Sequence, residues 1–307
     1  EAYLILDFGK ELVGGVRILA RDIQGNKRVR LRFGESLSEC CAELGEDNTT
    51  NDHAVRDIYV ELAGWSDMRY GNTGFRFLRI DTENDGSFQI KAIVAATDID
   101  LREQIGRFEC DDSALNDIWD TAAYTLRLCI QNGFLWDGIK RDRLIWVGDM
   151  YPMTRAAYCI YGELPEIKNS LSFSQREGVP PNWINGIPMY SFWWLINLAD
   201  DYFHTGNKEF ASEKLPFAYA VLNETERCVT ESGETRFCFN FIDWAMHWEN
   251  GDSEEKYSDE LAGVSALLRI ALIKTERLLK ALGEESIVCE RILARLDRKT
   301  FDIHFYK

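Results

Sequence analysis

The stretch DGIKRDRLIWVGD, residues 137 to 149, sets three carboxylates (Asp137, Asp142, Asp149), three cations (Lys140, Arg141, Arg143) and one indole (Trp146) side by side. Like charges at this density raise the pKa of at least one carboxyl, while the neighbouring cations oppose the rise. A carboxyl kept protonated beside ionised ones can act as a general acid. An indole among carboxylates suits a ligand with hydroxyls on its edge and apolar CH groups on its face. The plainer reading is a local ion-pair cluster at the start of a helix, because such networks perturb pKa values without any catalysis. From these residues alone both readings stand.

Two other stretches hold side chains of the same kind. In YSFWWLINLADDYFHTGN, Trp193 and Trp194 are adjacent on a nearly all-apolar run, so one is expected to reach a pocket while the other packs. In FNFIDWAMHW, Asp243 and Trp244 form an acid–indole step, with His247 and Glu249 beyond it as candidates for the same rim. The plainer alternative makes Asp243 an N-cap and Trp244 a core ring. The four histidines are scattered and the eight cysteines form no C-x-x-C pair, so neither a metal site nor a disulfide framework is expected. The thiols read as reduced and buried, and nothing calls for a cofactor.

Composition narrows the ligand further. A formal charge of −16 argues against a grip on nucleic acid or on anionic lipid, both of which need a basic face. No run approaches the roughly 20 apolar residues of a membrane span. The opening EAYLILDFGK is no signal peptide, which points to a cytoplasmic protein; since it begins without Met and directly in a strand, a removed export signal stays open.

Such a site needs a scaffold, and the chain offers two kinds. From residue 1 to about 104 the pattern is that of strands: YLILDFG, GGVRILARD, RVRLRFGES, RDIYVELAG, GFRFLRID and FQIKAIVAA, with apolar and charged residues alternating and turn residues between them. This predicts an antiparallel β-sandwich over residues 1–104. Over residues 105–307 the period becomes helical. Asp111 to Ser113 supply N-cap candidates for a helix through Leu115, Ile118, Trp119, Ala122, Leu126 and Cys129. A helix around Tyr190 to Phe203 is apolar on nearly every face and should be buried on both sides. Ser258 is expected to cap another that ends at Gly283, and a last one starts near Glu284 and runs on to Lys307. About seven helices are expected after residue 110, alternating between amphipathic and apolar as layered helix hairpins do.

The order LDFGKELVGGV, LRFGESL, RDIYVELAG, GFRFLRI, then GRFECDDSALNDIW and KRDRLIWVGD, resembles the bacterial α-L-rhamnosidases of glycoside hydrolase family 78 over essentially the whole chain. The resemblance implies a concanavalin-like β-sandwich followed by part of an (α/α)6 six-hairpin barrel, and an inverting hydrolase that releases terminal α-L-rhamnose from a glycoside or oligosaccharide. The family motif is similar to D-C-P-Q-R-D-E-R-L-G-W-T-G-D. Carried over, it makes Asp137, Arg141, Trp146 and Asp149 rhamnose contacts, and by the same resemblance Trp193, Asp243 and Trp244 line the pocket. This chain is one residue shorter before Arg143, and counting back from Asp149 puts Asp142 where the family has its general-acid Glu. The general base of the family lies in later hairpins, beyond residue 307. A barrel lacking those hairpins implies negligible turnover by the chain alone, and an exposed apolar wall that invites self-association. Two alternatives remain: a non-catalytic carbohydrate-binding or scaffold module, and a six-hairpin glycosidase acting on another sugar.

Overall fold

The computed structural model describes residues 2–25, 27–46, 55–82, 86–243 and 254–300. It divides into two compact units, one of Glu1–Arg102, Asp117–Asn132 and Trp136–Leu144, the other of Glu103–Asn116, Gly133–Leu135 and Ile145–Lys307. Two segments that follow the strands in sequence therefore group with the sheet.

In the first unit, β1 (Ala2–Gly25), β2 (Arg28–Gly34), β3 (Asp57–Glu61), β4 (Ser66–Thr82) and β5 (Gly86–Thr97) form an antiparallel sheet in the order β3-β2-β4-β1-β5. Its core follows from the period-two pattern. Val16, Ile18 and Ala20 of β1, Val29, Leu31 and Phe33 of β2, and Leu78 and Ile80 of β4 make one buried cluster. The pairing of Leu31 with Ile80 and of Phe33 with Leu78 brings like faces together. The two strands expected at YLILDFG and GGVRILARD are in fact one continuous β1. Its register with β4 shifts between Asp7 and Leu12 and again between Gly14 and Val16. Glycine permits this: Gly9 and Gly14 hold φ of 83° and 132°, values that other residues rarely adopt, so the strand bends without losing its partner. A short helix, α1 (Leu37–Cys41), follows β2, with the Ser36 hydroxyl accepting from Glu39 N–H at 3.2 Å.

Among the described residues, seven α-helices follow residue 110, as the periodicity predicts. Helix α2 (Ser113–Cys129) starts where Asp112 Oδ1 accepts from Ala114 N–H at 2.9 Å. The others are α3 (Val147–Ile160), α4 (Pro165–Glu177), α5 (Pro188–Thr205), α6 (Lys208–Cys228), α7 (Glu254–Leu282) and α8 (Ile287–Leu296). Helices α3, α5 and α7 run parallel, because their cross-links advance together. Thr154 bonds Asn197 and Tyr158 bonds Asp201, both at 3.1 Å, while Lys274 pairs with Asp200 and Arg277 lies 4.4 Å over the Phe203 ring. Helix α5 is buried along almost its whole length, as its all-apolar pattern requires. On its far side Trp194 donates to Leu171 O of α4 at 2.8 Å and meets Phe217 of α6 edge-on at 4.7 Å. Three helix hairpins, α3/α4, α5/α6 and α7/α8, are thus laid side by side.

Two helix boundaries differ from expectation. Ser258 lies inside α7, which starts at Glu254, because the preceding Glu-Glu-Lys are themselves good helix formers and Ser258 need not cap anything. The last helix does not run on: α8 stops at Leu296, where the apolar spacing gives way to Asp-Arg-Lys-Thr and Asp297 caps onto Leu293 O. Gly283 does end α7 as predicted, with φ of 82° and Glu284 N–H reaching back to Leu279 O at 2.9 Å.

Candidate functional site

The motif is shared between the two units: Asp137, Arg141 and Asp142 fall in the sheet-containing unit, Trp146 and Asp149 in the helical one.

Within the first unit the segment 137–144 is a closed loop. Asp137 N–H donates to Leu144 O at 3.0 Å, and Leu144 N–H donates to Asp137 Oδ1 at 2.8 Å. Between them Arg143 N–H reaches Arg141 O at 2.7 Å, closing a three-residue turn on Asp142. Asp142 and Arg143 have φ of 55° and 57°, two successive left-handed residues with side chains. Each such residue costs of order 1–3 kcal/mol and persists only where its surroundings over-determine it, which is the condition found at functional sites. Two of the three motif cations supply that constraint instead of facing the motif carboxylates. Lys140 pairs with Glu39 at 2.7 Å and Glu35 at 2.9 Å; Arg143 donates to Asn72 O at 2.7 Å and Asn72 Oδ1 at 3.1 Å, with its guanidinium 4.8 Å over Trp136. Burial lowers the pKa of Arg143. Arg141 is exposed and Asp142 half-buried.

The strongest carboxyl perturbation in this unit lies outside the motif, on Glu11 of β1. Glu11 lines a cavity of about 640 Å³ together with Glu35, Arg76, Tyr124, Asp137 and Ile139. One of its oxygens is buried without a hydrogen-bond partner. Burial, then repulsion from Glu35 and Glu39, pushes its pKa up to about 8 against the opposing pull of Lys140 and Arg76. Sequence reasoning missed Glu11, since LDFGKELVG carries no local sign that Glu35 and Glu39 converge on it.

In the helical unit, Trp146 is the residue preceding α3, in extended conformation, and Asp149 stands exposed in the first turn, where the helix dipole favours a negative charge. The intervening Gly148 lets two rings come close: a Cβ there would lie 3.1 Å from Tyr190 and 3.3 Å from Trp193. Because α3 and α5 run parallel, their N-terminal ends coincide and gather an aromatic group. Trp146 and Tyr190 have centroids 5.7 Å apart, Tyr151 and Trp193 4.9 Å, and Tyr190 meets Phe241 edge-on at 6.1 Å. The tryptophan pair separates as its spacing demands: Trp194 is fully buried packing, while Trp193 keeps partial exposure beside the motif glycine. Tyr151 and Tyr190 belong to this group and were not singled out from sequence; Tyr151, two residues after Asp149, offered a signal. Asp243 is exposed in a stretch without regular secondary structure, whereas Trp244, His247 and Glu249 lie outside the described residues.

At the opposite end of α5, Asp201 is buried and accepts from Tyr158, and burial raises its pKa to about 6. All eight cysteines are free, and Cys159 and Cys238 are exposed, against the expectation that the thiols are buried. Among the described residues no group of three His, Cys, Asp or Glu could hold a metal, and no helix is long and apolar enough to cross a membrane.

A sequence model of the bacterial alpha-L-rhamnosidase 6-hairpin glycosidase domain matches residues 103–296, and one of the bacterial alpha-L-rhamnosidase concanavalin-like domain matches residues 1–97. Among solved structures the chain is similar to a rhamnosidase from Klebsiella oxytoca with rhamnose bound, at 18% identity and a TM-score of 0.75, covering 97% of this chain and 61% of that one. It is also similar to a GH78 family rhamnosidase of Bacillus sp. GL1, at 22% identity, TM-score 0.73 and 96% and 31% coverage. An α-L-rhamnosidase of Streptomyces avermitilis complexed with L-rhamnose matches at 18% identity, TM-score 0.62 and 96% and 29% coverage. At these identities the likeness establishes the fold, and the chain spans less than two thirds of each of these proteins. No curated protein matches the chain.

Proposed function

The chain belongs to the bacterial α-L-rhamnosidases with a six-hairpin glycosidase domain, and from that premise we propose that it serves the release of terminal α-L-rhamnose from a glycoside or oligosaccharide. The observation that carries the reading is the aromatic group at the common N-terminal end of α3 and α5, with Asp149 in the first turn beside it. Rings of Trp146, Tyr151 and Trp193 can receive the CH face and the methyl of a deoxy sugar. The Asp149 carboxylate, in the first turn where the helix dipole favours a negative charge, accepts from its hydroxyls. By the family resemblance Asp137, Arg141, Asp243 and Trp244 are assigned as further rhamnose contacts.

Asp142 is the proposed general acid. In an inverting reaction it gives its proton to the glycosidic oxygen as that bond breaks. Water, deprotonated by a second carboxylate about 6.5–9.5 Å away, attacks the anomeric carbon from the opposite face. No described residue is assigned as that base. The test is L-rhamnose titration followed by indole resonances, with hydrolysis read on a panel of chromogenic aryl glycosides. Saturable perturbation by rhamnose that Trp146→Ala and Asp149→Ala weaken at least tenfold is expected, with any turnover confined to the α-L-rhamnoside and absent in Asp142→Asn. Preference for another sugar, or turnover untouched by Asp142→Asn, would overturn the assignment, and the absence of any saturable perturbation by rhamnose would remove the sugar site.

A further inference from the structure

Within the sheet-containing unit, the loop that carries Asp142 is anchored at several points. Three anchors converge on residues 139–143, and all come from the segment 35–74. Glu39 of α1, itself only 7% exposed, and Glu35 hold Lys140. The Asn72 carbonyl and side chain on β4 hold Arg143 from two of its nitrogens. Ile139 is buried against Gly74, where any Cβ would sit 2.8 Å from its side chain. Glu39 is fixed in turn, accepting from Glu35 N–H at 2.8 Å through its other oxygen.

The turn these anchors surround is the strained one. A free loop carrying Asp142 and Arg143 would relax to right-handed backbone, swinging the Asp142 side chain away. Ion pairs at exposed positions are worth little, but Lys140 and Glu39 are largely removed from solvent, and without the ammonium Glu39 keeps the longer pair to Arg56 at 4.0 Å, so the close anchor on the loop is lost. We propose that Lys140, Arg143, Glu39 and Asn72 are positioning residues, through which the sheet unit sets the direction of the Asp142 carboxyl. This rests on Asp142 being the acid.

Hydrogen exchange of the peptide spanning 137–145 reads the anchor directly, without need of turnover. Lys140→Met and Asn72→Ala are expected to speed its exchange at least tenfold while peptides of α5 and α6 keep their rates, and Lys140→Arg is expected to restore most of the protection. Unchanged exchange in both variants, or acceleration spread equally over β1 and β4, would overturn the proposal, the second by marking a general loss of folding. The catalytic arm compares α-L-rhamnosides with good and poor leaving groups. A displaced acid slows the poor leaving group more, so Lys140→Met should shift that ratio several-fold in the direction of Asp142→Asn. If exchange rises but Asp142→Asn leaves the ratio unchanged, the anchor stands and the acid assignment falls.

Discussion

Replacing Glu11 by Gln removes a carboxyl that the fold forces to keep its proton. In the unfolded chain Glu11 ionises at its ordinary value of 4.5, and in the native cavity at about 8. Between those values the native state binds the extra proton, so stability falls as pH rises from 4.5 to 8, by up to about 1.4 kcal/mol per pH unit. Over the whole window this amounts to at most about 5 kcal/mol. Glu11 is only half-buried and water reaches its cavity, so screening reduces the expected effect to about 1–2 kcal/mol. The glutamine side chain mimics the protonated acid in size and polarity. The variant is therefore expected to match the parent near pH 4.5 and to exceed it above pH 8, by about 2–8 °C in melting temperature. The assay is thermal unfolding of both proteins side by side at half-unit steps from pH 4.5 to 9, reading the difference at each pH so that every other titrating group cancels. A difference flat in pH, or a variant less stable than the parent at pH 8.5, would refute the cavity argument. Such a result would mean that Lys140 and Arg76 neutralise Glu11 more fully than Glu35, Glu39 and burial oppose it.

Gly148→Ala places a methyl 3.1 Å from Tyr190 and 3.3 Å from Trp193, which should cost about 1–3 kcal/mol and shift tryptophan fluorescence; an unchanged emission spectrum would mean the rings move freely. In the native protein, Cys159 and Cys238 should react with an aqueous maleimide well before Cys40 and Cys289, whose thiols burial pushes up to about 12, as peptide mapping of the adducts will show.

Much of the framework was legible because it depends on local spacing. Alternation in RVRLRF marked β2, the apolar run from Tyr190 marked a buried α5, and Gly283 marked the end of α7. Boundaries failed where nearby residues were permissive: Ser258 could cap but was preceded by helix formers, and β1 continued through glycines that looked like a turn. The tryptophan pair was legible only as a pair, since adjacent residues on a helix point about 100° apart and packing decides which one faces the core.

Strand and helix periods, the acidic balance and the order of motif residues are written in the chain itself, because each depends on neighbours a few positions apart. Which carboxyl is perturbed, and which partners the motif cations choose, was settled only by folding. Lys140 meets Glu39, and Glu11 meets Glu35, across separations that no local pattern records. Electrostatic energies depend on distance through space and on burial, and only the tertiary structure determines those two quantities.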